Sequence, residues 1–191
     1  TFKLGKYTFE LHTGRGETDD AVWVYIPELM TAFVGDFIMS PWFPNIGNPW
    51  KPTRFALEWA KELERIREME PESIFCSGGG YLYKGEDAKR ALNDNIDVIR
   101  ALHDQVVKFI NEGMHITEMI HKVKVPDHLV NSPFLKQVYS RPEFFVQNVY
   151  RWYHGYYDHN PAHLIPRPEK EVMEEICDLI GDKEKIFSRI N

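Results

Sequence analysis

Residues 7–12, YTFELH, alternate apolar and polar side chains with the two-residue period of a half-buried strand. The segment TFKLGKYTFEL that contains them is predicted to run as a strand from the start of the chain. AVWVYI and MTAFVG are rich in branched and aromatic residues, and PEL between them predicts a short turn at 27–29. SPWFPNIGNPWKPT, residues 40–53, holds too many prolines and glycines for regular structure and predicts a long loop. Thr53 is placed to cap a helix whose apolar stripe is Ala56, Trp59, Ala60, Leu63 and Ile66. ESIFCS predicts a short strand and GGGYLYKG a loop.

From Glu86 the period changes to that of a helix. Ala88, Ala91, Leu92, Val98, Ile99, Leu102, Val106, Phe109 and Ile110 fall on one stripe, with Gly113 as the stop. Further helices are predicted near 117–123, 133–139, 142–157 and 168–180, broken by prolines and by the loop YDHNPAHLIPRP. No internal repeat appears. Strands and one helix followed by an all-helical half predict an α+β chain of two domains, 1–84 and 85–191.

Composition narrows the classes without choosing among them. With 43% apolar and 27% charged residues the chain is globular in character. Its net charge is −6 and its basic residues are scattered, which argues against nucleic acid or an anionic membrane as partner. No apolar run approaches the length of a membrane span, no signal peptide opens the sequence, and a cytoplasmic location is the default expectation. Cys76 and Cys177 fit no metal or disulfide spacing and are expected to be reduced core residues.

The stretch GETDDAVWVYIPELMTAFVGD holds the candidate chemistry. With the turn at Pro27–Leu29, antiparallel pairing returns Asp36 beside residues 17–20, and neighbouring strands lie only about 5 Å apart. Glu17, Asp19 or Asp20 then faces Asp36 at one edge of the sheet. Clustered carboxylates repel unless they share a proton or a cation, and oxygen ligands of this kind suit zinc or a harder divalent ion. A solvated acidic turn is the plain alternative. Among other candidates, His103 beside Asp104 is expected to be a structural pair, and His154, His159 and His163 lie at no metal-ligand spacing. Phe144, Phe145, Tyr150, Trp152, Tyr153, Tyr156 and Tyr157 are expected in core or interface. Trp42, Phe43 and Trp50, in the loop after Asp36, are candidates for an apolar pocket wall.

HTGRGET, His12 to Thr18, is similar to the His-Thr-Pro-Gly-His-Thr turn of metallo-β-lactamase-fold hydrolases, with Glu17 at the second ligand position. With IPELMTAFVGD, FPN, RFALEWAKEL, ALHDQVVKFINEG and VYRWYHGYYDHNPAHLIPRP in that order, the chain resembles the alkyl sulfatase branch of that superfamily over its whole length. The resemblance implies the C-terminal half of a metallo-β-lactamase αββα domain, residues 1–84, followed by an α-helical dimerisation domain, residues 85–191. It implies a two-zinc site in which Glu17 ligates one metal and Asp36 bridges both. It implies hydrolysis of alkyl sulfates by metal-activated water, and a homodimer formed through the helices.

The departures are equally specific. The family's His-x-His-x-Asp-His motif does not occur in this sequence, so the resemblance implies a partner half upstream that carries it. The later His ligand is expected after Ser77, where this chain has Gly78. The family's sulfate-reading Arg is expected in the loop that here reads IGNPWKPTR; Arg54 lies closer to the helix, and Lys51 offers an anion a point charge. Trp42, Trp50, Lys51 and Arg54 are therefore the expected substrate contacts. Three origins are open: a fragment of a longer hydrolase, one product of a split gene, or a diverged member with an altered site. A non-catalytic dimerisation module and a hydrolase of another ester remain the competing functions.

Overall fold

Six strands form one mixed sheet in sequence order, and the computed structural model describes residues 1–190. β1 (Phe2–Leu4) and β2 (Tyr7–Gly14) are joined by a two-residue turn in which Gly5 has φ +59°. The expected opening strand is thus a hairpin. β3 (Ala21–Ile26) and β4 (Thr31–Ser40) form the second hairpin around a 3-10 turn at Pro27–Leu29, where the sequence places it. α1 (Ala56–Glu68) crosses over to β5 (Ser73–Gly78), which lies parallel to β4. β6 (Leu82–Lys84) pairs antiparallel with β5 through Phe75 and Leu82. The expected GGGYLYKG loop is therefore only Gly79 to Tyr81 in its irregular part, because the residues after the glycines complete a sheet edge.

The two faces of the sheet differ. Trp23, Tyr25, Ala32, Val34, Ile74 and Cys76 are buried under α1 and α2 (Gly85–Asn111) in one hydrophobic cluster. The five expected apolar residues of α1 are its five buried ones. On the opposite face Leu11, Val24, Phe33, Phe75 and Leu82 are successive cross-strand partners from β2 to β6. Four of the five are exposed, so an apolar row crosses the solvent-facing side of the sheet. Cross-strand apolar pairs of this kind stabilise a sheet when something covers them.

α3 (Ile116–Lys122) and α4 (Pro142–His154) extend the same core through Met119, Val123, Phe145, Val146, Val149 and Tyr150. The predicted helix at 133–139 is absent. Its backbone is drawn against the long loop instead: Phe43 N–H donates to the Lys136 carbonyl, and Lys136 N–H donates to the Pro41 carbonyl, both at 2.9 Å. Phe134 and Leu135 enter the core from this extended segment. Thr53 does not cap α1, whose capping position is Phe55 without a side-chain bond. Asn148 holds that approach, as described below.

Residues 1–155 form one compact unit and residues from 156 onward a second. The expected boundary at 84 falls inside the first unit, because α2 packs on α1 and on the sheet. The second unit contains α5 (Glu169–Ile180) and α6 (Lys183–Ile190), the latter not predicted. Arg167 there pairs with Glu175, and His163 with Asp158. Cys76 is buried as expected; Cys177 is exposed on α5 and not in a core.

A carboxylate pair beside an open cleft

Gly35, at φ +52°, interrupts the β4 register between Phe33 and Gly35, and this irregularity re-aims the residue that follows. That residue is Asp36. Glu17 lies in the loop between β2 and β3, near enough to Asp36 for that second carboxylate to raise the Glu17 carboxyl above its ordinary value. The hairpin thus brings Glu17, of the three acidic candidates, to Asp36. Asp19 lines the neighbouring cleft and Asp20 is exposed.

Glu17 is the more enclosed of the pair. Its carboxylate lies 3.0 Å from an Arg54 guanidinium nitrogen and accepts a hydrogen bond from the Asn45 amide. Burial holds the Glu17 carboxyl above the ordinary glutamate value, and the hydrogen bond and charge of Asp36 raise it further; Arg54 and Asn45 pull the other way. A carboxyl whose value is raised by folding contributes stability below its unfolded value, and that contribution is lost as pH rises through the folded one. Denaturation midpoints measured from acid to neutral pH are therefore expected to fall with rising pH by a component present in the wild-type chain and absent in Glu17→Gln. An identical pH profile for the two would contradict this.

Arg54 is 7% exposed and is fixed on every side. Its Nε donates to the Glu17 carbonyl at 2.9 Å, and a second guanidinium nitrogen donates to the Asn45 carbonyl. Its backbone is held by Asn148 on α4: the Arg54 N–H donates to Asn148 Oδ1, and Asn148 Nδ2 donates to the Arg54 carbonyl, both at 2.8 Å. Asn45 and Asn148 were not legible as site residues, since they stand 28 and 94 residues from their bonded partners, and Asn45 lies in the FPN segment without a role assigned to it.

A cleft of about 640 Å³ opens beside this group, lined by Glu17, Thr18, Asp19, Asn48, Lys51 and Tyr139 among others. Lys51 sits in its wall as expected. Trp42 does not line it but stacks on Tyr139 at 5.5 Å, so its ring supports the wall from behind. Trp50 is 91% exposed and lies outside the lining. Phe43 is buried in the core and is no pocket wall.

The donor set tests what metal the site suits. Neighbouring carboxyl groups repel unless they share a proton or a cation, which is the environment a hard or borderline divalent ion enters. Among the described residues, no group of three His, Cys, Asp or Glu side chains converges to hold a metal. Cys76 adds no ligand: it is buried in the sheet and its thiol is pushed up to about 12. Gly78 adds none, and its backbone would strain the histidine expected there. It stands at φ +87°, and a Cβ would meet the Ser40 carbonyl oxygen at 3.0 Å and the Trp42 ring at 3.3 Å. Among the described residues, two carboxyl groups alone fall short of the three protein ligands a catalytic zinc takes. His103 is a structural residue as expected, bonded to Tyr153 at 2.9 Å and to Asp104 at 3.1 Å.

A family model described as alkyl sulfatase dimerisation matches residues 115–191. A linear primary-alkylsulfatase of Pseudomonas is 26% identical over 174 residues, which cover 90% of this chain and 33% of that protein. An (R)-specific secondary-alkylsulfatase of Pseudomonas is 26% identical over 187 residues, 95% of this chain and 28% of that one. The chain is similar to alkylsulfatases over most of its length, and residues 115–191 match their dimerisation model. The crystallised stereoselective inverting sec-alkylsulfatase Pisa1 from Pseudomonas has the same fold, with a TM-score of 0.89 over 98% of this chain and 30% of that one, at 22% identity. The α+β class expected from the sequence stands, and so does the resemblance to alkylsulfatases. The chain spans about a third of the length of the alkylsulfatases it matches.

Proposed function

We propose that this chain is one part of a zinc-dependent sulfate-ester hydrolase, contributing Glu17 and Asp36 as ligands and completed by a polypeptide that carries the remaining metal ligands. The meeting of the two carboxyl groups beside an open cleft carries the reading. Zinc held by such a site supplies Lewis acidity and a hydroxide nucleophile near neutral pH. The protein's own groups do the rest. Asn45 and Arg54 fix the Glu17 carboxylate. Lys51 offers a positive charge to an anionic ester in the cleft. The Tyr139 ring, backed by Trp42, gives that cleft an apolar wall suited to an alkyl chain.

The uncovered sheet face supports the need for a second polypeptide. The row Leu11, Val24, Phe33, Phe75 and Leu82 is the kind of surface another sheet layer buries, and the relatives have about two-thirds of their length outside the matched region. The test is zinc content and turnover of the chain combined with a polypeptide carrying those remaining two-thirds. Dodecyl sulfate is to be compared with matched phosphate and carboxylic esters. Less than one zinc per assembled site, or no preference for the sulfate, sinks the hydrolase reading.

The second reading, a dimerisation module, rests on the match over 115–191 and on α5. Val172, Met173, Ile176, Leu179 and Ile180 follow a helical spacing, and the last four are exposed. The chain is expected to be a homodimer through this helix. Leu179→Asp together with Ile176→Asp is expected to weaken the dimer by about 2 kcal/mol or more, the scale of an interface hot spot. Sedimentation across a concentration series reads this; a wild-type monomer at all concentrations contradicts it.

A further inference from the structure

We propose that the cavity between α4 and residues 47–53 is an oxyanion-binding site, separate from the carboxylate cleft, in which Lys51 and Arg151 hold an anion of sulfate or phosphate type. The site asks nothing of Glu17 and Asp36, so it stands or falls apart from the hydrolase reading.

The cavity is made by fastening a loop to a helix at two points. Phe144, Gln147, Asn148 and Arg151 follow the i, i+3, i+4, i+7 spacing and share one face of α4. Gly47 lies so close to this face that a Cβ would collide with the Phe144 carbonyl, and its φ of +105° suits glycine alone. Further on, Asn148 bonds both backbone polar groups of Arg54 at 2.8 Å. The residues between these anchors arch away from α4, through a turn in which Lys51 N–H donates to the Asn48 carbonyl at 3.1 Å. A cavity of about 310 Å³ lies beneath the arch, room for an oxyanion and the water around it.

Its lining is one-sided in charge. Lys51 and Arg151 both face it, no Asp or Glu is among its lining residues, and the chain as a whole carries a net charge of −6. Neither cation has a carboxylate partner among the described residues. An anion between them relieves their mutual repulsion. The guanidinium fork suits two oxygens at once, and the ammonium adds a point charge. Neutral donors complete the set. Asn48 Oδ1 already accepts from the Trp50 N–H at 2.9 Å, which leaves its amide NH2 to donate, and Thr53 and Gln147 add a hydroxyl and a second amide. The larger cleft shares Asn48, Lys51 and Thr53 but adds Glu17 and Asp19, which oppose an anion. Segment 48–53 is thus a partition with an acidic side and a basic side.

The test titrates the full chain with inorganic phosphate and, separately, inorganic sulfate, at ionic strength held constant with sodium chloride, and follows amide NMR shifts. Saturable shifts centred on Gly47, Asn48 and Gln147 are expected. Arg151→Gln is expected to weaken binding by roughly tenfold or more, the scale of one lost charge-assisted hydrogen bond. Lys51→Gln is expected to weaken it by a smaller factor. Gln147→Glu places a carboxylate in the cavity while keeping both cations and is expected to abolish binding. Gln147 and Arg151 are exposed, so both variants are expected to keep the wild-type melting temperature. Lys89→Gln removes the same charge from an exposed site on α2 and is expected to leave binding unchanged.

Saturable binding that is lost in Arg151→Gln and Gln147→Glu and kept in Lys89→Gln upholds the proposal, for whichever of the two anions shows it. No saturable shift in the folded wild type overturns it. So does an equal loss in Lys89→Gln, the mark of attraction to overall charge, or undiminished binding by Gln147→Glu. None of these outcomes bears on the hydrolase reading, which is judged on zinc content and ester turnover.

Discussion

Replacing Trp59 with alanine is expected to remove about 3–5 kcal/mol of stability, the usual cost of deleting a buried aromatic ring. That is a large share of the roughly 5–15 kcal/mol available to a domain. Trp59 is fully buried at the junction of α1 with the sheet. Its ring meets Phe37 edge-on with centroids 6.0 Å apart, and its Nε1 donates to the Phe37 carbonyl at 2.9 Å. Phe37 follows Asp36 directly, so this one indole anchors the strand end that presents the proposed bridging ligand. Urea denaturation with an unchanged slope reads the loss. Trp59→Phe is expected to cost less, about 1–3 kcal/mol, since it leaves the Phe37 carbonyl without its buried donor. A loss under 1 kcal/mol for the alanine variant contradicts this account.

Asp36→Ala in the assembled hydrolase is expected to lower turnover by more than the roughly 10–100-fold that follows loss of an outer partner of a metal ligand. The side chain is exposed, so its removal takes no volume from the core. It also takes a like charge away from Glu17, which leaves a simple pair between Glu17 and Arg54. The melting temperature of the metal-free variant is therefore expected to equal or exceed that of the wild type. The combination separates the two roles a carboxylate has: a structural acid lost would cost stability, a ligand lost costs zinc and rate. Parallel measurement of zinc content, turnover and melting temperature decides it. A variant that keeps its zinc and its rate removes Asp36 from the site.

The hairpin that returns Asp36 toward Glu17 was legible from local geometry. A turn at Pro27–Leu29 and a Gly-Asp pair after the next apolar run suffice to return Asp36 to the loop before β3, and the structure follows that register. The stripe of α1 was equally legible, because five apolar residues at helical spacing have one way to be buried together. What stayed hidden depends on partners distant in the chain. Residues 133–139 have the apolar content of a helix, yet their backbone bonds go to Pro41 and Phe43. Arg54 reads as a cation offered to substrate, whereas Glu17, Asn45 and Asn148 together commit it to the fold. β6 is three residues long, too short for any period to declare itself.

The reach of α4 into the core sets how this architecture divides for recombination. Residues 115–155 fall within the stretch matched by the dimerisation model, but Met119, Val123, Phe145, Val149 and Tyr150 share one hydrophobic cluster with Trp59, Leu63 and Leu102. A chimaera spliced at residue 84 or 114 would sever that cluster and leave both parents with raw apolar surface. The crossover expected to be tolerated lies at Gly155, whose positive φ ends α4 and the first unit together. Exchange of helical tails between relatives is thus confined to about the last 36 residues, and the segment that braces Glu17 is inherited together with the sheet.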